Sequence, residues 1–191
     1  MKYFSLMLFL FMNACMAASM TGFGARYYDE VTETYAEVHK TDKDLIPEIV
    51  IGSKKYWLER SALEDISIFT GATINKDNQA MWICLESNSI NYWFISDNEM
   101  GNGGLTAVAI AKDSSPCITY KGKLQVSVKA PLLTRKESVS SFFAIPLKNK
   151  DIVMYYKDVE KSDEYTQGNS IMYYLRGKGV QGVFISQTTT R

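Results

Sequence analysis

The chain has 191 residues, 21 lysine plus arginine against 21 aspartate plus glutamate, and one histidine. That length holds one compact domain or two small ones packed together. Hydrophobic residues at 46% with 22% charged exclude a disordered chain, and the neutral balance without a basic run removes the electrostatic case for nucleic-acid binding.

The chain opens as an export signal. Lys2 is a short positive region, 3–12 (YFSLMLFLFM) an apolar run, and 13–18 (NACMAA) a small-residue cleavage region. About ten apolar residues are too few to cross a bilayer core that needs ~20. A signal peptide over 1–17 is therefore expected, with cleavage after Ala17. The alternative is acylation of Cys15, although Met12-Asn13-Ala14 fits a lipobox poorly. The localisation that follows is periplasmic or secreted, or an outer-membrane lipoprotein.

Strand-like stretches follow within 27–39, at 48–51 and at 55–58. Then the chain reads as two related halves offset by 73 residues. Ser61 and Glu64 in one half, Thr134 and Glu137 in the other, form the S/T-x-x-E pattern of a capping box. Leu63, Ile66 and Phe69, and then Val139, Phe142 and Phe143, follow at helical spacing. Gly71 suits a left-handed cap and Pro146 blocks extension, so each helix is short, about ten residues.

Three strands are expected after each helix: 80–86, 90–96 and 105–111, then 152–157, 170–175 and 180–186. Asn88 marks one tight turn and Gly177-Lys178-Gly179 another. A further strand over 123–128 precedes the second helix. The predicted fold is α+β: two tandem helix-plus-antiparallel-meander repeats, over 18–122 with its N-terminal strands and over 123–191, able to share one continuous sheet.

Beyond Cys15 the cysteines are Cys84 and Cys117. Two cysteines in an oxidising compartment read as one disulfide, adding about 3 kcal/mol. A metal site lacks partners, since His39 is the only histidine.

The positions Thr134, Glu137, Val139, Phe143, Ala144 and Pro146 are similar to the T-x-x-E-V…L-G-x-P helix signature of small outer-membrane assembly lipoproteins of the SmpA/OmlA type. They also resemble the beta-lactamase-inhibitor-like proteins, in which helix-plus-sheet units occur in tandem. Gly71 matches the pattern in the first half. Ala144 stands at the glycine of the second half, and Thr73 at the proline of the first. The resemblance implies protein–protein binding in the envelope and no catalysis.

Signals for an enzyme are thin. His39 lies in a polar strand-like stretch and reads as a solvent-exposed bystander, and no nucleophile motif or phosphate-cradling loop is present. No cofactor is expected. Binding is better supported. Both faces of the strands carry large apolar groups, Tyr92 and Phe94 against Trp93 and Ile95, with Tyr155 and Tyr173 in the second half. One face packs on the helices. The other is either an aromatic patch for a partner or is covered internally, by the other half or the N-terminal segment.

The halves differ in their loops: 97–104 reads as a long, flexible acidic hairpin in the first, and 158–168 as an expanded turn in the second. Asp97, Glu99 and Met100 are candidates to enter a partner's cleft, as inhibitor loops do in the family it resembles. The expected function is an exported inhibitor or immunity-type protein that binds an envelope enzyme or toxin. The alternative is an outer-membrane-anchored assembly or structural lipoprotein.

Overall fold

A computed structural model describes residues 19–28, 36–148 and 150–191. The expected signal peptide over 1–17 and Cys15 lie outside the described residues. Among the described residues no helix is long and apolar enough to cross a membrane.

A 3-10 helix, Gly22–Tyr28, is followed by β1 (Glu37–Lys40), β2 (Glu48–Ile51), β3 (Lys54–Tyr56) and the first helix α1 (Leu63–Thr70). Next come β4 (Asn75–Lys76), β5 (Ala80–Ser87), β6 (Ile90–Asp97), β7 (Ala107–Ala111), β8 (Ile118–Thr119) and β9 (Leu124–Ser127). The second helix α2 (Lys136–Phe143) precedes β10 (Ile152–Ser162), β11 (Tyr165–Arg176) and β12 (Gly179–Thr190).

The fold is mixed and mostly sheet. Among the described residues a nine-stranded sheet runs β1-β10-β11-β12-β7-β6-β5-β4, with β8 also on β5. A small sheet runs β3-β2-β9. Each helix is thus followed by an antiparallel meander, and the last strands of the two meanders, β7 and β12, pair antiparallel. Hairpin chemistry fixes these pairings: Asn88 and Ser89 at φ 55° and 60° make the two-residue turn between β5 and β6. Two pairings cross the boundary expected at 122/123: β9 pairs with β2, and β1 pairs in parallel with β10.

The helices start later than expected, and no side chain caps them. The N-cap residues are Ala62 and Arg135, not Ser61 and Thr134. The Ser61 hydroxyl instead accepts the Trp57 N–H. Main chain from the β6–β7 and β11–β12 connections closes the helix starts: Leu63 N–H donates to the Gly103 carbonyl at 2.9 Å, and Lys136 N–H to Lys178 at 3.0 Å. These bonds satisfy N–H groups that a helix cannot satisfy itself.

At the other ends Gly71 and Ala144 both take the left-handed conformation. One helical turn earlier, Ser67 donates its hydroxyl to the Ala72 carbonyl and Ser140 to that of Ile145, at 2.6 and 2.8 Å.

Both faces of the large sheet are buried over its central part. On one, Ile83, Leu85, Phe94, Val108, Tyr155, Tyr173 and Ile185 meet the helices and the small sheet through Leu63, Ile66, Val139, Phe143, Ile49 and Ile51. The Phe143 and Tyr155 rings stack at 3.5 Å between centroids. On the other face, Trp82, Trp93, Tyr174 and Phe184 are covered by Met20 and Phe23 of the N-terminal segment. The Phe23 ring sits 5.1 Å from Phe184 and 5.2 Å from Tyr174. Gly182 lies directly beneath it, where a Cβ would overlap the Phe23 ring.

Candidate binding site

The aromatic residues expected to face a partner do not. Tyr92, Trp93, Tyr155 and Tyr173 are all buried. Tyr173 donates its hydroxyl to the Pro131 carbonyl, and burial, with the neighbouring Tyr155, pushes its phenol up. Burial, with the charge of Glu37 adding, pushes Tyr155 up to about 12. The covering layers take up both faces of the sheet at these four residues. His39 is not a free surface group either. Its ring stacks on Tyr155 and hydrogen-bonds Glu37 at 2.9 Å.

Cys84 and Cys117 stand at disulfide-bonding distance, Cα to Cα 4.9 Å. The bond joins β5 to the segment before β8 and is compatible with a location outside the cytoplasm.

The 97–104 connection is braced by hydrogen bonds. One Asp97 carboxylate oxygen accepts the N–H groups of Glu99 and Met100 at 2.7 and 3.0 Å. The Asp97 carbonyl accepts those of Gly101 and Asn102, and the Ser96 hydroxyl accepts that of Gly103. Asn98 ties the loop sideways to Gln79 and Asp77. Asp97 therefore points inward as the organiser of the loop. Glu99 and Met100 remain exposed on it, Met100 at 57%.

The other Asp97 oxygen accepts the Tyr27 hydroxyl at 2.6 Å. Burial opposes ionisation of Asp97, but the bonds from Tyr27, Met100 and Glu99 outweigh it and hold the carboxyl below the usual range. Asp77 receives the Tyr28 hydroxyl in the same way, and Asp113 the Phe23 N–H. Three carboxylates thus fasten the N-terminal segment across the sheet.

Beside the loop lies a cleft of about 510 Å³. Met100, Gly101 and Gly104 form one wall, and Gln167, Gln187, Thr188 and Thr189 another, with Glu59, Arg60 and Lys161 at its rim. The expected turn over 158–168 is no loop: β10 and β11 continue through it with residues Asp158 and Gly168 paired, and bring Lys161 and Gln167 to the cleft. Glu59 has a φ of 60°, an uncommon conformation for a residue with a Cβ. Its carboxylate accepts the Thr189 N–H and hydroxyl and the Gln167 amide. Under the rim, Gln187 donates to buried Asn169 at 2.6 Å.

Of the cleft residues only Met100 was a candidate in the sequence; Glu59, Arg60, Lys161, Gln167 and Thr189 were not legible as a site. Glu59 and Thr189 are 130 positions apart. The one available signal was the polar run Gln187-Thr188-Thr189-Thr190 continuing a strand. Among the described residues, no group of three or more His, Cys, Asp or Glu is placed to hold a metal.

Compared with known protein families, with curated proteins and with solved structures, the chain matches none.

Proposed function

We propose that this is an exported protein-binding protein of inhibitor or immunity type, acting without catalysis in a periplasm or cell envelope. It holds one partner, an envelope enzyme or toxin, through the 97–104 hairpin and the cleft beside it. The observation that carries this reading is the hairpin itself: exposed Met100 and Glu99 stand on main chain braced by Asp97 and Ser96. A pre-ordered loop loses little entropy on binding, which favours affinity.

We also propose that the halves are copies of one unit, as in the envelope proteins the chain resembles. The support is the recurrence of the Ser67 and Ser140 bonds, the Gly71 and Ala144 caps and the Gly103 and Lys178 bridges at corresponding places.

The test is a pull-down from envelope extract with the tagged chain over 18–191, comparing wild type with Glu99→Ala plus Met100→Ala. A single stoichiometric partner lost from the double variant is expected. Equal recovery of every partner by both would overturn the hairpin assignment. Mass spectrometry of the mature N-terminus separates this reading from a lipoprotein anchored at Cys15.

A further inference from the structure

β11 and β12 run on past the start of β7. Their ladder continues to Thr166 opposite Thr190, whereas the pairing of β12 with β7 ends at Ser186 opposite Ala107. One more bond follows, from the Gln187 N–H to the Thr106 carbonyl at 3.1 Å. Thr189 stands two residues further on, so its N–H leaves the strand on that same edge. No strand meets it. The Glu59 carboxylate takes the N–H, and with it the Thr189 hydroxyl at 2.8 Å and the Gln167 amide at 2.9 Å.

An open strand edge is a template for another chain, and proteins guard such edges. Here the guard is a single exposed side chain, and the cleft lies against it. The guard is a carboxylate held by three converging donors. The cleft also carries Arg60 and Lys161, neither of which has an ion-pair partner among the described residues. The donors and the charge ask for the same chemistry.

We propose that this cleft takes an extended acidic peptide segment of the partner, which adds as a strand to the edge of β12 and replaces Glu59 on Thr189 and Gln167. The inference rests on the protein-binding reading above and names the chemistry that binds. Main-chain bonds to the edge supply affinity, and Arg60 and Lys161 select negative charge. Glu59 competes for the same donors, so its removal raises affinity.

The test uses a fluorescent, end-blocked peptide of alternating valine and glutamate, its lysine counterpart, and the acidic peptide N-methylated along one edge. Binding is followed by anisotropy and by amide NMR shifts. Wild type binds the acidic peptide weakly, with shifts centred on Thr188 and Thr189. Glu59→Gly frees the donors, and glycine accepts the positive φ; affinity rises roughly tenfold. Glu59→Gln, which keeps the side chain, gives a smaller gain. Adding Arg60→Glu and Lys161→Glu reverses the gain, and N-methylation abolishes binding.

A folded Glu59→Gly or Glu59→Gln protein that binds the acidic peptide no better than the lysine one overturns the proposal. So does binding that N-methylation leaves intact. If the hairpin double variant loses its partner while the peptides fail in this way, the protein-binding reading stands and strand addition falls. If partner capture survives the hairpin changes and is lost on Arg60→Glu plus Lys161→Glu, the cleft carries the binding and the hairpin does not.

Discussion

The hydroxyl of Tyr27 donates to Asp97 at 2.6 Å, and the other oxygen of the same carboxylate holds the main chain of the 97–104 hairpin. The N-terminal segment and the exposed loop are therefore fastened at one group. Removing the hydroxyl frees one oxygen and lets the carboxylate rotate. Tyr27→Phe is expected to cost about 1.5–3 kcal/mol, the range for a bond to a charged acceptor. Amide exchange at Glu99 and Met100 should quicken in the same variant. Unaltered exchange there would show that the loop is braced without Tyr27.

The same contacts set a pH window. Asp97, Asp77 and Asp113 are each opposed by burial, yet hydrogen bonds outweigh it and depress all three. A depressed folded pKa contributes stability that is complete above the unfolded carboxylate value, about 4, and is lost as pH falls through the folded one. Tyr27 and Tyr28 are raised, first by burial and then by their aspartates. Their contribution is complete below the unfolded tyrosine value, about 10, and shrinks as pH rises beyond it. The N-terminal segment should stay docked from about pH 4 to 10 and loosen outside that range. Exchange of the Phe23 amide, whose N–H is held by Asp113, reports this directly. A Phe23 amide equally protected at pH 3 and pH 7 would contradict it.

Phe23 and Gly182 should be strongly coupled. The ring fills the space over Gly182 among Trp93, Tyr174 and Phe184. Phe23→Ala is expected to cost about 3–4 kcal/mol, as for other buried aromatics. Gly182→Ala alone forces the ring aside and costs about 1–3 kcal/mol. In the double variant the clash disappears, so the sum overstates the loss by at least about 1 kcal/mol. Denaturant unfolding of the four proteins measures the coupling, and simple additivity would mean that the segment does not sit on Gly182.

The two helix ends offer opposite substitutions. Gly71 and Ala144 hold the same left-handed cap at φ 73° and 55°. No atom lies within 4 Å of a Cβ added at Gly71, so its replacement is a matter of backbone alone. Gly71→Ala should lower stability by about 1 kcal/mol and Ala144→Gly should raise it by up to about 1 kcal/mol. Matching signs in thermal unfolding would break the equivalence of the two caps.

Much of this architecture is periodic and local, and so was readable in advance. The strand starts at Ala80, Ile90 and Ile152 follow from apolar runs bounded by turn residues, and the short helices from Leu63, Ile66, Val139 and Phe143. The capping boxes misled because the hydroxyl and carboxylate pattern at Ser61 and Glu64 competes with a main-chain partner that only the folded hairpin supplies. The aromatic strands misled for a related reason. Tyr92, Trp93, Tyr155 and Tyr173 have the composition of a binding surface, and nothing in a strand's own pattern says whether a second layer covers it.

By itself, then, the sequence determined the pairing of Cys84 with Cys117 and the order of the main helices and strands, because each depends on neighbouring residues or on a small count of cysteines. The tertiary structure alone decided that the last strands of the two meanders join, that Phe23 covers the second sheet face, and that Glu59 guards the edge of β12. Those contacts link residues 70 or more positions apart, and 130 for Glu59 and Thr189. They arise from where whole sheets come to rest, which no local spacing encodes.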